Sequence, residues 1–349
     1  MLQPKDRDYI KPASHHDDVA DSPCLTETKT WDYPDSNWNL AASQSPQVDP
    51  FCCRTEWQLS FHEAMGPDRQ LLVREAPGSL VAFAEQKRPD GAVVFTPVES
   101  HWLFGCPLLG PDAIALLEQL AGEHEPQAGM PAPLFVISGL IPRGELFQKM
   151  YRRLAPRFDF FEHRDDVLCS ASLAGGLDGF LSRRSAKHRR GLAKQARRAT
   201  REGVTFERHA PTDTADAAAV YARMLAVEES SWKGIGECGM STGLSRSYYD
   251  CMMRRLSASG RGRVIFARHA ERDIGYIFGS RAGEHYRGQQ FSYADDWKAY
   301  SIGNLLQVEQ IKWLCEEQVL SYDMGPMMDY KRHWTEQRLP IKTVIMRSR

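Results

Sequence analysis

Residues 293–306, Tyr-Ala-Asp-Asp-Trp-Lys-Ala-Tyr-Ser-Ile-Gly-Asn-Leu-Leu, close a strand-like run, make a short loop and open an amphipathic helix. The turn reads Lys298-x-x-Ser301-x-Gly303. A glycine at 303 lets a ligand approach the backbone closely. The helix that follows turns its free amides and the positive end of its dipole toward the loop, an anion site suited to a pyrophosphate. Ser301, Ile302, Gly303 and Asn304 are the expected contacts, and Lys298 adds charge.

Other side chains suit proton transfer or charge pairing. Glu228 and Glu229 precede Trp232. A carboxylate beside an indole is partly desolvated, which raises its pKa toward that of a general base. The same pair also reads as a solvated helix end, and Trp232 as a core residue. Tyr293 and Tyr300 flank the loop, either as acids or as packing anchors whose hydroxyls reach water. Asp295 and Asp296 complement the helix dipole. Beside an anionic ligand they are unfavourable unless turned toward an amine. Lys331 could pair with a phosphate or a substrate carboxylate, or sit exposed on a loop.

The elements that must position these groups occur twice. In the first half, strand-like runs at 71–76, 80–85 and 92–98 are separated by Pro77-Gly78 and Pro89-Asp90-Gly91 turns. A loop with Gly105 and Gly110, a helix near 112–122 and a strand from 133 follow. In the second half, runs at 263–268, 274–280 and 285–293 lead to the opening loop, a helix near 302–317 and a strand at 319–324. The order strand, strand, strand, Gly-bearing loop, helix, strand thus recurs, which predicts two copies of one α/β unit. Pro107 and Pro111 remove amide donors from the first copy's loop, so the second copy is the one expected to hold a ligand.

Composition bounds the rest. The chain has 349 residues, is 42% hydrophobic and 26% charged, and carries a net charge of −1. That describes a globular protein with no global pull toward nucleic acid or membrane. No apolar run approaches the roughly 20 residues needed to span a bilayer. The N-terminus lacks the order of a secretion signal, so a cytoplasmic location is expected. Residues 1–50 carry nine acidic and four basic side chains and read as a mobile acidic extension that Trp31, Tyr33 or Trp38 could dock. Residues 181–201 carry nine basic side chains and no acidic one. They read as a solvated linker helix; a polyanionic contact is the alternative, and the lack of aromatics argues against nucleic acid. The eight cysteines form no metal-ligand spacing and are expected reduced and mostly buried. No metal is expected.

The Lys298-x-x-Ser301-x-Gly303 loop between strand and helix resembles the Q/R-x-x-G-x-G/A signature of GNAT acyltransferases, with Lys298 for Gln/Arg and Ser301 for the first Gly. With the basic helix from Lys187, the Glu228–Gly234 segment and Tyr330-Lys-Arg-His-Trp-Thr, the order of motifs resembles the CelD/BcsL-like acetyltransferases associated with exopolysaccharide and cellulose synthesis. That group is related to Fem-type aminoacyltransferases. The resemblance is detailed over about 180–345 and topological over 55–165. It implies an α/β fold of tandem GNAT-like units, each a mixed, mainly antiparallel sheet flanked by helices. The expected division is an extension (1–50), a degenerate unit (51–170), a basic linker (171–210) and a catalytic unit (211–349). It also implies acetyl-coenzyme A as co-substrate and an amine or hydroxyl acceptor, small molecule or saccharide. The strand 285–293, with a bulge at Gly288, would polarise the thioester. Glu229 or Glu228 would be the base, Tyr293 or Tyr300 the acid, and Trp232, Asp295 and Lys331 would contact the acceptor. Two alternatives remain open: a Fem-type transferase drawing on charged tRNA, and a non-catalytic scaffold.

Overall fold

The computed structural model describes residues 35–46, 48–89, 91–124, 131–236 and 238–349. Trp31 and Tyr33 lie outside these residues. From Asp35 onward the supposed extension belongs to the packed body. Helix α1 (Asp35–Ser43) buries Trp38, whose indole donates to the Cys53 carbonyl at 2.8 Å. Asp49 is buried too. The acidic composition of 1–50 hid this, because one anchoring tryptophan and one paired aspartate weigh little in an average.

After α2 (Thr55–Met65), strands β1 (Leu71–Ala76), β2 (Ser79–Lys87) and β3 (Val93–Pro97) form an antiparallel meander. The short β4 (Leu108–Leu109) pairs with β2, and α3 (Ala113–Glu123) leads to β5 (Leu134–Leu140), parallel to β3. Helix α4 (Glu145–Leu154) and the long β6 (Phe158–Ser172) close this half. Helices α5 (Gly176–Ser182) and α6 (Ala186–Arg201) cross to β7 (Val204–His209). Helices α7 (Thr214–Glu229), α8 (Trp232–Ile235) and α9 (Gly243–Ala258) precede a second antiparallel meander, β8 (Gly262–His269), β9 (Arg272–Ala282) and β10 (His285–Tyr293). A 3₁₀ turn (Asp295–Tyr300), α10 (Ile302–Glu316), β11 (Ser321–Pro326), a second 3₁₀ turn (Asp329–His333) and β12 (Gln337–Ser348) complete the chain.

The repeat read from turn residues is therefore present, with each meander followed by helix and parallel strand. The halves nevertheless share one sheet, in the order β1-β2-β3-β5-β12-β6-β11-β10-β9-β8-β7. The C-terminal β12 lies between β5 and β6, so the last strand of the chain completes the first meander. One apolar core also spans both halves. Trp57, Phe61 and Trp102 meet Tyr248 of α9 through ring contacts of 5.3–6.2 Å. On the opposite face Ile302, Leu305 and Leu306 of α10 cover Ile265 and Ile277.

The two Gly-bearing loops differ in a way that composition does not show. In the first copy Glu99 is fully buried and its carboxylate accepts the amides of His101 (2.7 Å), Trp102 (2.5 Å), Leu103 (3.3 Å) and Phe104 (3.4 Å), and the Trp57 indole (3.2 Å). Successive amides of this kind form an anion cradle. Here the chain fills it with its own carboxylate.

Candidate active site

Strands β10 and β11 pair only from His285↔Ser321 to Arg287↔Asp323 and then part. The register against β9 slips between Gly288 and Gln290, so a bulge stands where the strands separate, as expected for Gly288. A side chain at 288 would collide with the Tyr322 ring, whose Cε2 lies 2.9 Å from the position of a Cβ. The opening is a cavity of about 290 Å³. Phe291, Tyr293 and Gln307 line it together with Lys233, Gln289, Gln290, Ser292, Tyr322 and Lys331, and Trp232, Met328 and Tyr330 form its rim. No aspartate or glutamate lines it.

The start of α10 lies against two of the residues that line this cavity. A Cβ at Gly303 would lie 3.0 Å from Phe291 and 3.2 Å from Tyr293, so glycine lets the helix seat on those two rings. Ser301 stands in the left-handed region (φ 58°, ψ 38°), which explains why the family signature has glycine there. The Ser301 amide donates to Lys298 O and the Asn304 amide to Ser301 O, which leaves the Ile302 and Gly303 amides as unpaired donors. Asn304 does not turn its side chain to the loop; its amide donates to Gln195 of α6 at 3.3 Å. Lys298 is an exposed ion pair with Asp295 at 3.1 Å. Asp296 pairs with Arg272 at 2.8 Å. Tyr293 lines the cavity. Tyr300 instead lies against Trp297 and under the Arg198 guanidinium, 4.1 Å from its ring centre.

The two carboxylates expected as a base are placed differently from each other. Glu228 is fully buried and behind the cavity, accepting the Tyr276 hydroxyl at 2.9 Å and the Met240 amide at 3.1 Å. Glu229 is exposed at the end of α7. Between Glu228 and the cavity stands Lys233, which the sequence reading missed. Its ammonium lies 3.8 Å from Glu228 and donates to the Gln290 side chain and the Phe291 carbonyl, both at 2.9 Å. Gln290 in turn donates to the Tyr249 hydroxyl at 2.7 Å. The bulge is thus clamped by a lysine. Burial lowers the Lys233 pKa, and Glu228 opposes that shift. Trp232, read both as a core residue and as an acceptor contact, is 57% exposed at the rim.

Lys331 is 5% exposed, not a surface lysine. Its ammonium donates to the Pro326 carbonyl at 2.7 Å and pairs with no carboxylate among the described residues. Burial, followed by the nearby Arg287 guanidinium, pulls its pKa down to about 8, against the opposing charge of Asp323. Arg287 is itself buried between Asp49, at 3.2 Å, and Asp323. This pairing ties the segment after α1 to the point where β10 and β11 part. The signal that could have found both lysines is a repeated dipeptide, Trp232-Lys233 and Tyr330-Lys331: an aromatic at the rim, a lysine inside.

Helix α6 packs beside the same loop. Arg198 donates to the Ala299 carbonyl at 3.0 Å, and Gln195 receives Asn304. Leu192 and Ala199 are its buried positions. Its seven Lys and Arg side chains make no ion pair among the described residues, whereas arginines elsewhere commonly do. No cluster of His, Cys, Asp and Glu that could hold a metal ion occurs among the described residues. No described helix is long and apolar enough to cross a membrane.

Residues 186–332 match the family described as acetyltransferase (GNAT) domain, a match that begins at the first residue of α6. Over that span the chain is similar to a GNAT domain. Among solved structures, FemX is similar at a TM-score of 0.62 and 10% identity, over 88% of this chain and 95% of that one. A conserved protein of unknown function from Bacteroides thetaiotaomicron VPI-5482 gives 0.56 and 11%, over 90% and 92%. L-PGS from Bacillus licheniformis gives 0.50 and 15%, over 87% and 93%. At such identities the likeness is one of fold. No curated protein matches the sequence significantly.

Proposed function

We propose that this chain is an acyltransferase. Its second half moves an acyl group, most simply acetyl, from acyl-coenzyme A to an amine or hydroxyl of a small-molecule or saccharide acceptor. One observation carries the reading: the bulged, parted strand β10 opens a cavity, and the start of α10, with its unpaired amides, seats through Gly303 on two of the rings that line it, Phe291 and Tyr293. The amides of Ile302 and Gly303 suit a pyrophosphate, with Ser301 shaping the turn, and Lys298 would exchange Asp295 for a phosphate. Acyl-coenzyme A would supply the activated thioester.

The chain's own residues then have distinct tasks. The edge of β10 that has lost β11 polarises the acyl carbonyl. Tyr293, on the cavity wall, delivers the proton that the departing thiolate needs. Glu229, exposed at the end of α7 and outside the cavity lining, would take the proton from an acceptor that reaches out past Trp232 at the rim; Asp295, paired with Lys298, would meet the acceptor beyond the rim. Glu228 touches no part of the cavity, so its effect passes through Lys233, which makes it a positioning residue. The resemblance to exopolysaccharide-associated transferases points to polysaccharide or cell-envelope metabolism as the setting.

A second reading, an aminoacyl group delivered from charged tRNA, is favoured by the unpaired cations of α6 beside the same loop. Calorimetric titration separates the two: acetyl-coenzyme A first, charged tRNA second. Binding of acetyl-coenzyme A that survives Ser301→Ala with Gly303→Ala unchanged refutes the placement of the site. Replacing Arg189, Arg190, Arg197 and Arg198 by Ala tests the second reading, which fails if tRNA binding and its salt dependence stay the same.

A further inference from the structure

The cavity between β10 and β11 has an electrostatic imbalance that the proposed chemistry does not use. Lys233 and Lys331 both line it and no carboxylate does. Lys233 has its charge answered by Glu228 behind the wall. The Lys331 ammonium has three donors, and the Pro326 carbonyl is the acceptor placed for one of them. Two further polar groups in the same lining, on strand β10, lack partners. The Ser292 hydroxyl is buried, with 2% of the residue exposed, and makes no hydrogen bond; the Gln289 side-chain nitrogen, on the bulge itself, makes none either. Buried donors without acceptors are costly. Three sets of them in one cavity lining define what a ligand must bring.

We propose that the acceptor carries an oxyanion group, a carboxylate or a phosphate, which enters this cavity and is held by Lys331 with Ser292 and Gln289. The inference rests on the acyltransferase reading for the word acceptor, but not for the anion site. The site is distinct from the start of α10, whose amides are assigned to the pyrophosphate. It excludes a polyamine as the deep ligand, because two ammonium groups without a carboxylate repel one. The acceptor class is then an amino acid, an acidic sugar or a phosphorylated amine, with its apolar part against Trp232, Met328 and Tyr330 at the rim. The charged and titratable groups around Lys331 are Arg287 on β10, Asp323 on β11 and Cys169 on β6. Arg287 is held between Asp49 and Asp323, so its guanidinium is not free for a ligand, whereas Lys331 makes no ion pair of its own among the described residues.

The test is direct binding to the full chain, with no acyl donor present. Sodium N-acetylglycinate, O-phosphoethanolamine and the neutral N-acetylglycinamide are titrated calorimetrically into the wild type, Lys331→Met and Lys331→Arg. One anionic probe should bind about tenfold or more tighter than the amide, the scale of a charge-assisted hydrogen bond. Which one binds identifies carboxylate or phosphate. Lys331→Met should abolish the preference and Lys331→Arg should keep it. If Lys331→Met does not fold, Ser292→Ala should lower the ratio of anion to amide affinity severalfold. Equal affinity for all three probes, or an anion preference untouched by these substitutions, overturns the proposal. A separate titration with acetyl-coenzyme A judges the acyltransferase reading: anion binding without coenzyme binding removes that reading and leaves this site standing.

Discussion

Lys331 permits the sharpest test, because its charge is buried at a measurable cost. Its folded pKa is about 8 against an ordinary 10.5. At 1.36 kcal/mol per pH unit the gap amounts to about 3 kcal/mol of destabilisation by the charged form. Folding lowers this lysine's affinity for its proton, so between pH 8 and 10.5 the unfolded chain holds the proton more firmly than the folded one. Stability contributed by this group therefore rises with pH across that window, and the cost is fully present below it. By pH 10 about 2.5 kcal/mol of it should be recovered.

Lys331→Met removes the charge but leaves the Pro326 carbonyl without its donor, a loss of about 1–3 kcal/mol that offsets most of the gain at pH 7. The variant should accordingly match the wild type or exceed it slightly at neutral pH. The decisive quantity is the difference between the two proteins as pH rises. A buried tyrosine such as Tyr249, whose pKa burial pushes up to about 12, weakens the fold at high pH in both proteins and drops out of that difference. Urea unfolding followed by tryptophan fluorescence at pH 7, 8, 9 and 10 measures it. The wild type should gain about 2.5 kcal/mol on the variant between pH 7 and 10. A difference that stays flat with pH would mean a lysine hydrated like any surface residue, and the argument for an unanswered buried cation would be wrong.

Glu99→Ala should cost about 3–5 kcal/mol in urea denaturation, because four amides and the Trp57 indole lose one acceptor; a loss below 1 kcal/mol would deny the carboxylate its place in the cradle. Ser301→Gly should raise stability by about 0.5–1 kcal/mol, the left-handed penalty of 1–2 kcal/mol less the entropy that glycine adds to the unfolded chain. Destabilisation there would show that the serine hydroxyl has a partner of its own. Lys233→Met should lower kcat for acyl transfer about tenfold or more while leaving the KM for acetyl-coenzyme A within about twofold, since the lysine holds the bulge and not the helix start; a change confined to KM would refute the clamp.

The parts legible in the sequence were those set by local chemistry. Pro77-Gly78 and Ala282-Gly283 punctuate strands wherever they stand, and Gly288 and Gly303 mark places where a side chain has no room. What the sequence could not show depends on partners far along the chain. Nothing in Gln337–Ser348 says that it pairs with Leu134–Leu140, because strand register is chosen by tertiary burial and the pattern would suit another edge equally. Glu228 and Glu229 are adjacent and alike, yet the rotation of about 100° between neighbouring helical residues sends one into the core and leaves the other in water. The loops show the same limit most clearly. Proline content suggested that the first copy had lost its donors, but four amides there converge on Glu99, so that cradle exists and is occupied. In the second copy no carboxylate among the described residues reaches the amides of Ile302 and Gly303. A duplicated unit keeps its need for an anion in both copies. Where the chain supplies the anion the copy becomes structure, and where it does not, the amides remain donors for a ligand.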